Sequence, residues 1–148
     1  MKNLVKFFTL WFLMGMCYAQ LELFARGVTY LPMTFIGGLA GVLIGLVHKR
    51  AVKNPIRMWQ QCLLGMLITV DIEFISGCIF NRYLGMMLWD YTRYRYNLDG
   101  QVCLNFAVMW FFLMPFALWI NDLILWKFFS EQRPKTPFNY YKQLLTLH

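Results

Sequence analysis

Four apolar runs, Leu4–Leu23, Thr29–Val47, Trp59–Phe80 and Leu104–Phe129, set the terms on which this chain can fold. At a rise of about 1.5 Å per helical residue, each is long enough to cross the roughly 30 Å hydrocarbon layer of a bilayer. With 59% hydrophobic and 14% charged residues, a chain of 148 residues has more apolar surface than a soluble core of that size can enclose. The mean hydropathy of +0.48 points the same way. Lipid offers no partner to backbone N–H and C=O groups, and the chain lacks the repeated alternating segments of a barrel, so the spans must be helical. The expectation is an all-α integral membrane protein with a single transmembrane domain. Its helices are placed at about 4–24, 29–47, 58–80 and 104–128, followed by a short basic tail at 130–148.

The net charge of +7 suggests nucleic acid only until the cations are placed, because they sit at the ends of the apolar runs, where they report topology. With the N-terminus inside, Lys2, Lys6, Lys49, Arg50, Lys53, Arg57, Lys127, Arg133, Lys135 and Lys142 are cytoplasmic, and only Arg26, Arg82, Arg93 and Arg95 lie outside. The predicted topology is N-in/C-in. A multi-pass protein with the bilayer as partner and no nucleic acid is expected, and the expected location is a cell membrane, a bacterial or phage-encoded inner membrane.

The first run also resembles a signal peptide, with Lys2 and Lys6 before it and Cys17-Tyr18-Ala19 as a small-residue site; an uncleaved helix is the expectation. Cys17, Cys62, Cys78 and Cys103 show no metal-ligand spacing and His48 and His148 stand alone, so packed thiols, no metal and no cofactor are expected. A Cys78–Cys103 disulfide is the one pairing the topology allows. Gly37, Gly41 and Gly45, with Gly38 beside them, form a small-residue face on the second helix, a packing seam for another backbone. Asn54-Pro55 predicts a break before the third helix, and Pro115 lies inside the fourth. The piece from Phe138 to Leu147 reads as an anchor along the inner interface.

Each acid within a span demands a partner, at a cost of about 2.5–3.5 kcal/mol on insertion scales. Four lie there: Glu22, Asp71, Glu73 and Asp122. Glu73 shares a helical stripe with Cys62, Met66, Thr69, Ser76 and Gly77, a small, polar face that should point inward. Asp71 is rotated about 200° from it, onto a face with Leu64, Leu67, Ile68 and Ile75, and needs a second helix, a neighbouring protomer or a proton. Glu22 should share a cavity with Glu73, with Arg82, Arg93 and Arg95 as available cations; Asp122 should pair with Lys127 or with a cation of the second loop.

Between the third and fourth spans lies a polar, aromatic segment that must face water or a protein-lined cavity. It contains Trp89-Asp90-Tyr91-Thr92 and, four residues on, Asn97-Leu98-Asp99-Gly100-Gln101-Val102-Cys103-Leu104. Asn-Leu-Asp-Gly forms turns, so the segment reads as a rigid cap on the outer face. On these residues, and on Glu73-Phe74-Ile75-Ser76-Gly77, Tyr30-Leu31-Pro32 and the late acid Glu22, the chain resembles the ABC-transporter type IV, or CmpB-like permease, family of small membrane proteins. It departs from that pattern at Tyr18-Ala19-Gln20-Leu21, where the family tends to have Gly-Trp, and at Gln101, where the family tends to have arginine. The resemblance implies a multipass membrane protein with a transport role.

The candidate binding residues are therefore Glu22, Glu73, Trp89, Asp90, Tyr91, Asn97 and Asp99. The leading expectation is a permease-like or channel-like subunit for a small solute or ion, working as a homo-oligomer or with other membrane subunits because four helices are few for a path. The alternatives are a structural or accessory protein, including a phage-type pore former, and an intramembrane enzyme on lipid substrates. No phosphate loop, H-E-x-x-H or G-x-S-x-G motif is present, so no enzyme is expected.

Overall fold

A computed structural model of the chain describes residues 2–146; Met1, Leu147 and His148 lie outside the described residues. Helix α1 spans Lys2–Arg26, α2 Leu31–Lys53, α3 Met58–Gly77, α4 Leu104–Phe129 and α5 Pro137–Leu145. The first four are long and apolar enough to cross a membrane, the third with its extension to Tyr83. Helix α2 runs past the expected boundary at Val47 because a basic sequence is no obstacle to helix. It ends where Asn54 closes its N–H on Arg50 O at 2.9 Å and Pro55 blocks the next turn.

At its far end α3 widens into a π-helical segment, Cys78–Tyr83, whose i→i+5 pattern is visible in Leu84 N–H donating to Ile79 O at 2.9 Å. The chain then forms the cap. Two short strands, β1 (Asn97–Leu98) and β2 (Val102–Cys103), pair antiparallel around Asp99-Gly100-Gln101, with Asp99 at φ 53° and Gly100 at φ 68°. A side chain at Gly100 would strike Thr92 Cγ2 at 2.7 Å, so only glycine combines that backbone with that packing.

The glycine seam is internal. Gly37 receives the ring of Tyr18, Gly38 the carbonyl of Trp11 and Gly41 the side chain of Met14, so α1 lies almost backbone to backbone on α2. Trp11 Nε1 donates to Phe35 O at 3.0 Å and fixes the register of the pair. Opposite the cap lies the basic end of the bundle, where Lys6 pairs with Glu131 and ties the start of α1 to the end of α4. There Asp122 is met by His48 at 3.0 Å, on the basic stretch of α2, and not by Lys127. Tyr140 of α5 donates to the same carboxylate at 2.6 Å, and burial together with that negative neighbour pushes its phenol pKa up, so it stays a donor. Helix α5 thus turns Tyr140 and Leu144 into a cluster with Met58, Cys62 and Leu118, while Phe138 and Leu145 remain exposed. All four cysteines are free thiols, Cys78 and Cys103 included.

Candidate binding cavity beneath the cap

The third helix sorts its two acids by rotation alone. Glu73 is buried with Cys62, Thr69, Ser76 and Gly77 on the face turned to the other helices, and Asp71 is exposed with Leu64, Leu67 and Ile75 on the face turned away. Ser76 and Thr69 spend their hydroxyls on backbone carbonyls one turn back, Ile72 O at 2.6 Å and Gly65 O at 2.9 Å. They are packing donors in the usual manner of helical hydroxyls.

Glu73 stands on the wall of a cavity of about 110 Å³ to which all four spans contribute, among them Met14 and Tyr18 from α1, Ile36 from α2 and Leu113 from α4. The lining is apolar except for Glu73, Thr69, Tyr18 and Trp110, and the last two rings stack with centroids 6.0 Å apart. One Glu73 oxygen accepts from Tyr91 Oη at 2.8 Å, the other from Trp110 Nε1 at 3.4 Å. Tyr91 descends from the cap and stacks on Phe106 at 4.7 Å. Burial and then the Glu73 charge push its phenol pKa well above the ordinary range, so it remains protonated and remains a donor.

Glu22 is buried close to this end of the bundle but does not line the cavity. Its carboxylate accepts from Thr29 Oγ1 at 2.5 Å and pairs with Arg26 at 3.3 Å, one turn on. Arg26 in turn donates to Leu88 O at 3.0 Å, so α1, the loop into α2 and the cap are joined through the Glu22–Arg26 pair. The cation at this end is therefore Arg26. Arg82 pairs instead with exposed Asp99 at 2.9 Å, and Arg95 lies over the Tyr96 ring at 5.5 Å.

The other expected site residues build the cap. Asp90 is exposed, and its carboxylate takes the Thr92 N–H at 2.8 Å and the Thr92 hydroxyl at 3.0 Å, bonds that hold its pKa below the usual carboxylate range. Asn97 accepts from Gly100 N–H at 2.8 Å and donates to Tyr94 O at 2.6 Å. Trp89 is buried, its indole donating to Gln101 O at 2.8 Å. Of the seven candidates, Glu73 lines the cavity with Tyr91 bonded to it, Glu22 stands nearby, and Trp89, Asp90, Asn97 and Asp99 shape the segment above.

A latch of two buried amides holds that segment down. Asn81, in the π-helical segment, donates to Trp89 O at 3.0 Å and to Gln101 Oε1 at 2.9 Å, and accepts from Leu88 N–H at 2.7 Å. Sequence reasoning missed both Asn81 and Gln101, along with Trp110 and Thr29. A polar residue just past an apolar run reads as a helix end, and only the fold turns it inward. Arg26 did carry a signal, its spacing of four residues from Glu22, which on a helix brings opposite charges together.

No solved structure matches this chain. A family model matches residues 5–146, nearly the whole sequence, and on that match the chain belongs to the family described as putative ABC-transporter type IV.

Proposed function

We propose that this multipass membrane protein is the ligand-binding subunit of a permease, and that its cavity takes a small amphipathic cation. The observation that carries the reading is Glu73, a carboxylate 7% exposed on the wall of an otherwise apolar cavity. Its own partners, Tyr91 and Trp110, are neutral donors, and a carboxylate has lone pairs to spare beyond those two bonds. A buried carboxylate without a cation of its own favours a positively charged guest, and the aromatic side chains of Tyr18 and Trp110 on the same lining add attraction for one. The apolar walls select for carbon on that cation.

The test is counterflow of a radiolabelled short-chain alkylammonium ion in proteoliposomes, comparing the wild type with Glu73→Gln. Saturable counterflow is expected in the wild type, with at least a tenfold loss in the variant. Equal counterflow in both contradicts the reading. Glutamine has one acceptor oxygen, enough to keep the 2.8 Å bond from Tyr91, and it gives up only the longer 3.4 Å contact from Trp110, so the loss reports mainly the charge.

A second reading has an observation of its own: both carboxylates already bind the cap, Glu73 through Tyr91 and Glu22 through Arg26 and Leu88. On that reading the acids are structural, the protein is an accessory subunit, and the wild type shows no counterflow. Neither reading gives the chain a catalytic role, and both place the basic end in the cytoplasm, following the charge rule for membrane topology.

The same membrane logic bears on assembly. Asp71, near the middle of the third span, is exposed on an apolar face and has no ion-pair partner among the described residues. An acid facing lipid costs a few kcal/mol, about 3 on insertion scales, which a neighbouring helix with a donor or cation removes. That face of α3 is therefore proposed as the contact with another subunit. Asp71→Leu is expected to shift the mild-detergent assembly toward monomer in native mass spectrometry, and an unchanged distribution counts against the contact.

A further inference from the structure

We infer that the cavity at the basic end of the bundle, between α2, α4 and α5, binds a phosphate-bearing anion. This cavity, about 540 Å³, is separate from the one beneath the cap and shares no lining residue with it. Its charged rim is unbalanced. Lys49, Lys53, Arg133 and Lys135 all line it, and none of them has a carboxylate within ion-pair reach among the described residues. The two acids that also line it already have partners: Asp122 has His48 and Tyr140 on the same lining, and Glu131 has Lys6.

Cations at a membrane protein's end are ordinary, and alone they would report only topology. The second observation is Asn121. Its side chain lines the cavity, is only 2% exposed, and packs against Gly45 of α2, where any larger residue would displace it. Its amide nitrogen is buried and has no hydrogen-bond partner among the described residues. A buried amide N–H left unmade is costly, and native structures seldom keep one without a ligand, ion or water to meet it. Here the orphan is a donor, as an anion requires. A phosphate group offers several acceptor oxygens, enough to take the Asn121 amide and two or more rim cations through charge-assisted bonds.

Two sources present that chemistry, a free soluble phosphate compound and the headgroup of an anionic lipid. The experiment separates them. Purified protein in neutral detergent is titrated with inorganic phosphate against chloride of equal ionic strength, and protein in zwitterionic nanodiscs is compared with and without phosphatidic acid. A saturable rise in melting temperature in the first arm supports a soluble ligand; a rise in the second arm alone supports a lipid headgroup. In either case Lys49→Gln/Lys135→Gln is expected to weaken the effect at least tenfold. These side chains are on the exposed rim, so the variant should melt near the wild type when no phosphate is present.

Asn121→Asp, nearly isosteric, sets a carboxylate against the anion and is expected to abolish the effect. Lys127→Gln is the control, since its ammonium lies outside the cavity over the Trp126 ring at 4.3 Å and its loss should change nothing. No saturable shift in either arm, or the same shift in the Lys49→Gln/Lys135→Gln variant as in the wild type, overturns the proposal.

Discussion

Asn81→Leu is expected to release the cap from the bundle while leaving the four spans folded. Leucine fills much the same space but strands the Leu88 N–H, the Trp89 carbonyl and the Gln101 side chain, each buried and each bonded to Asn81 in the native fold. A buried polar group left unpaired costs about 1–3 kcal/mol, so losing this hub should cost about 3 kcal/mol or more. Hydrogen exchange read segment by segment would show it, with fast exchange across residues 84–103 and unchanged protection in α1 and α2. Asn81→Asp keeps the acceptor for Leu88 and loses both donors, and should fall between. If the cap exchanges no faster in Asn81→Leu, the latch is not what holds it.

The second large effect is at Gly38. A methyl group there would collide with the Trp11 carbonyl oxygen and come within 2.8 Å of Trp11 Cδ1, and a helix backbone cannot swing aside as a flexible side chain can. Overpacking costs typically about 1–3 kcal/mol, and a collision with backbone belongs at the top of that range. Gly38→Ala should therefore lower the melting temperature in detergent by several degrees and weaken the α1–α2 pair, whereas Leu39→Ala, at a residue 41% exposed, should change little. Equal melting of the two variants would mean that the close approach carries no stability.

Much of this architecture can be read from the chain because a membrane simplifies the code. Apolar runs of bilayer length have one solution, and the 200° between Glu73 and Asp71 assigns one acid inward and the other outward before any contact is known. The cap was legible as a turn-rich segment, but the roles within it were not. Asp90, Asn97 and Asp99 carry ligand-type side chains, yet they close turns and a surface ion pair, as the Asn-Leu-Asp-Gly sequence itself implies. The latch was not legible because Asn81 acts only where a π-helical turn and a segment twenty residues later bring Gln101 to it. Nor does spacing pair His48 with Asp122, which are 74 residues apart in sequence.

These elements converge on one carboxylate, Glu73, held under the cap by Tyr91 and facing an apolar cavity. The most direct measurement is equilibrium binding of a short-chain alkylammonium ion to the purified protein, followed through quenching of Trp110 fluorescence and set against a neutral alcohol of the same shape. Saturable quenching by the ammonium ion alone is expected, weakened at least tenfold in Glu73→Gln, about 1.4 kcal/mol. Equal quenching by ion and alcohol, or undiminished binding in Glu73→Gln, would contradict this reading of Glu73.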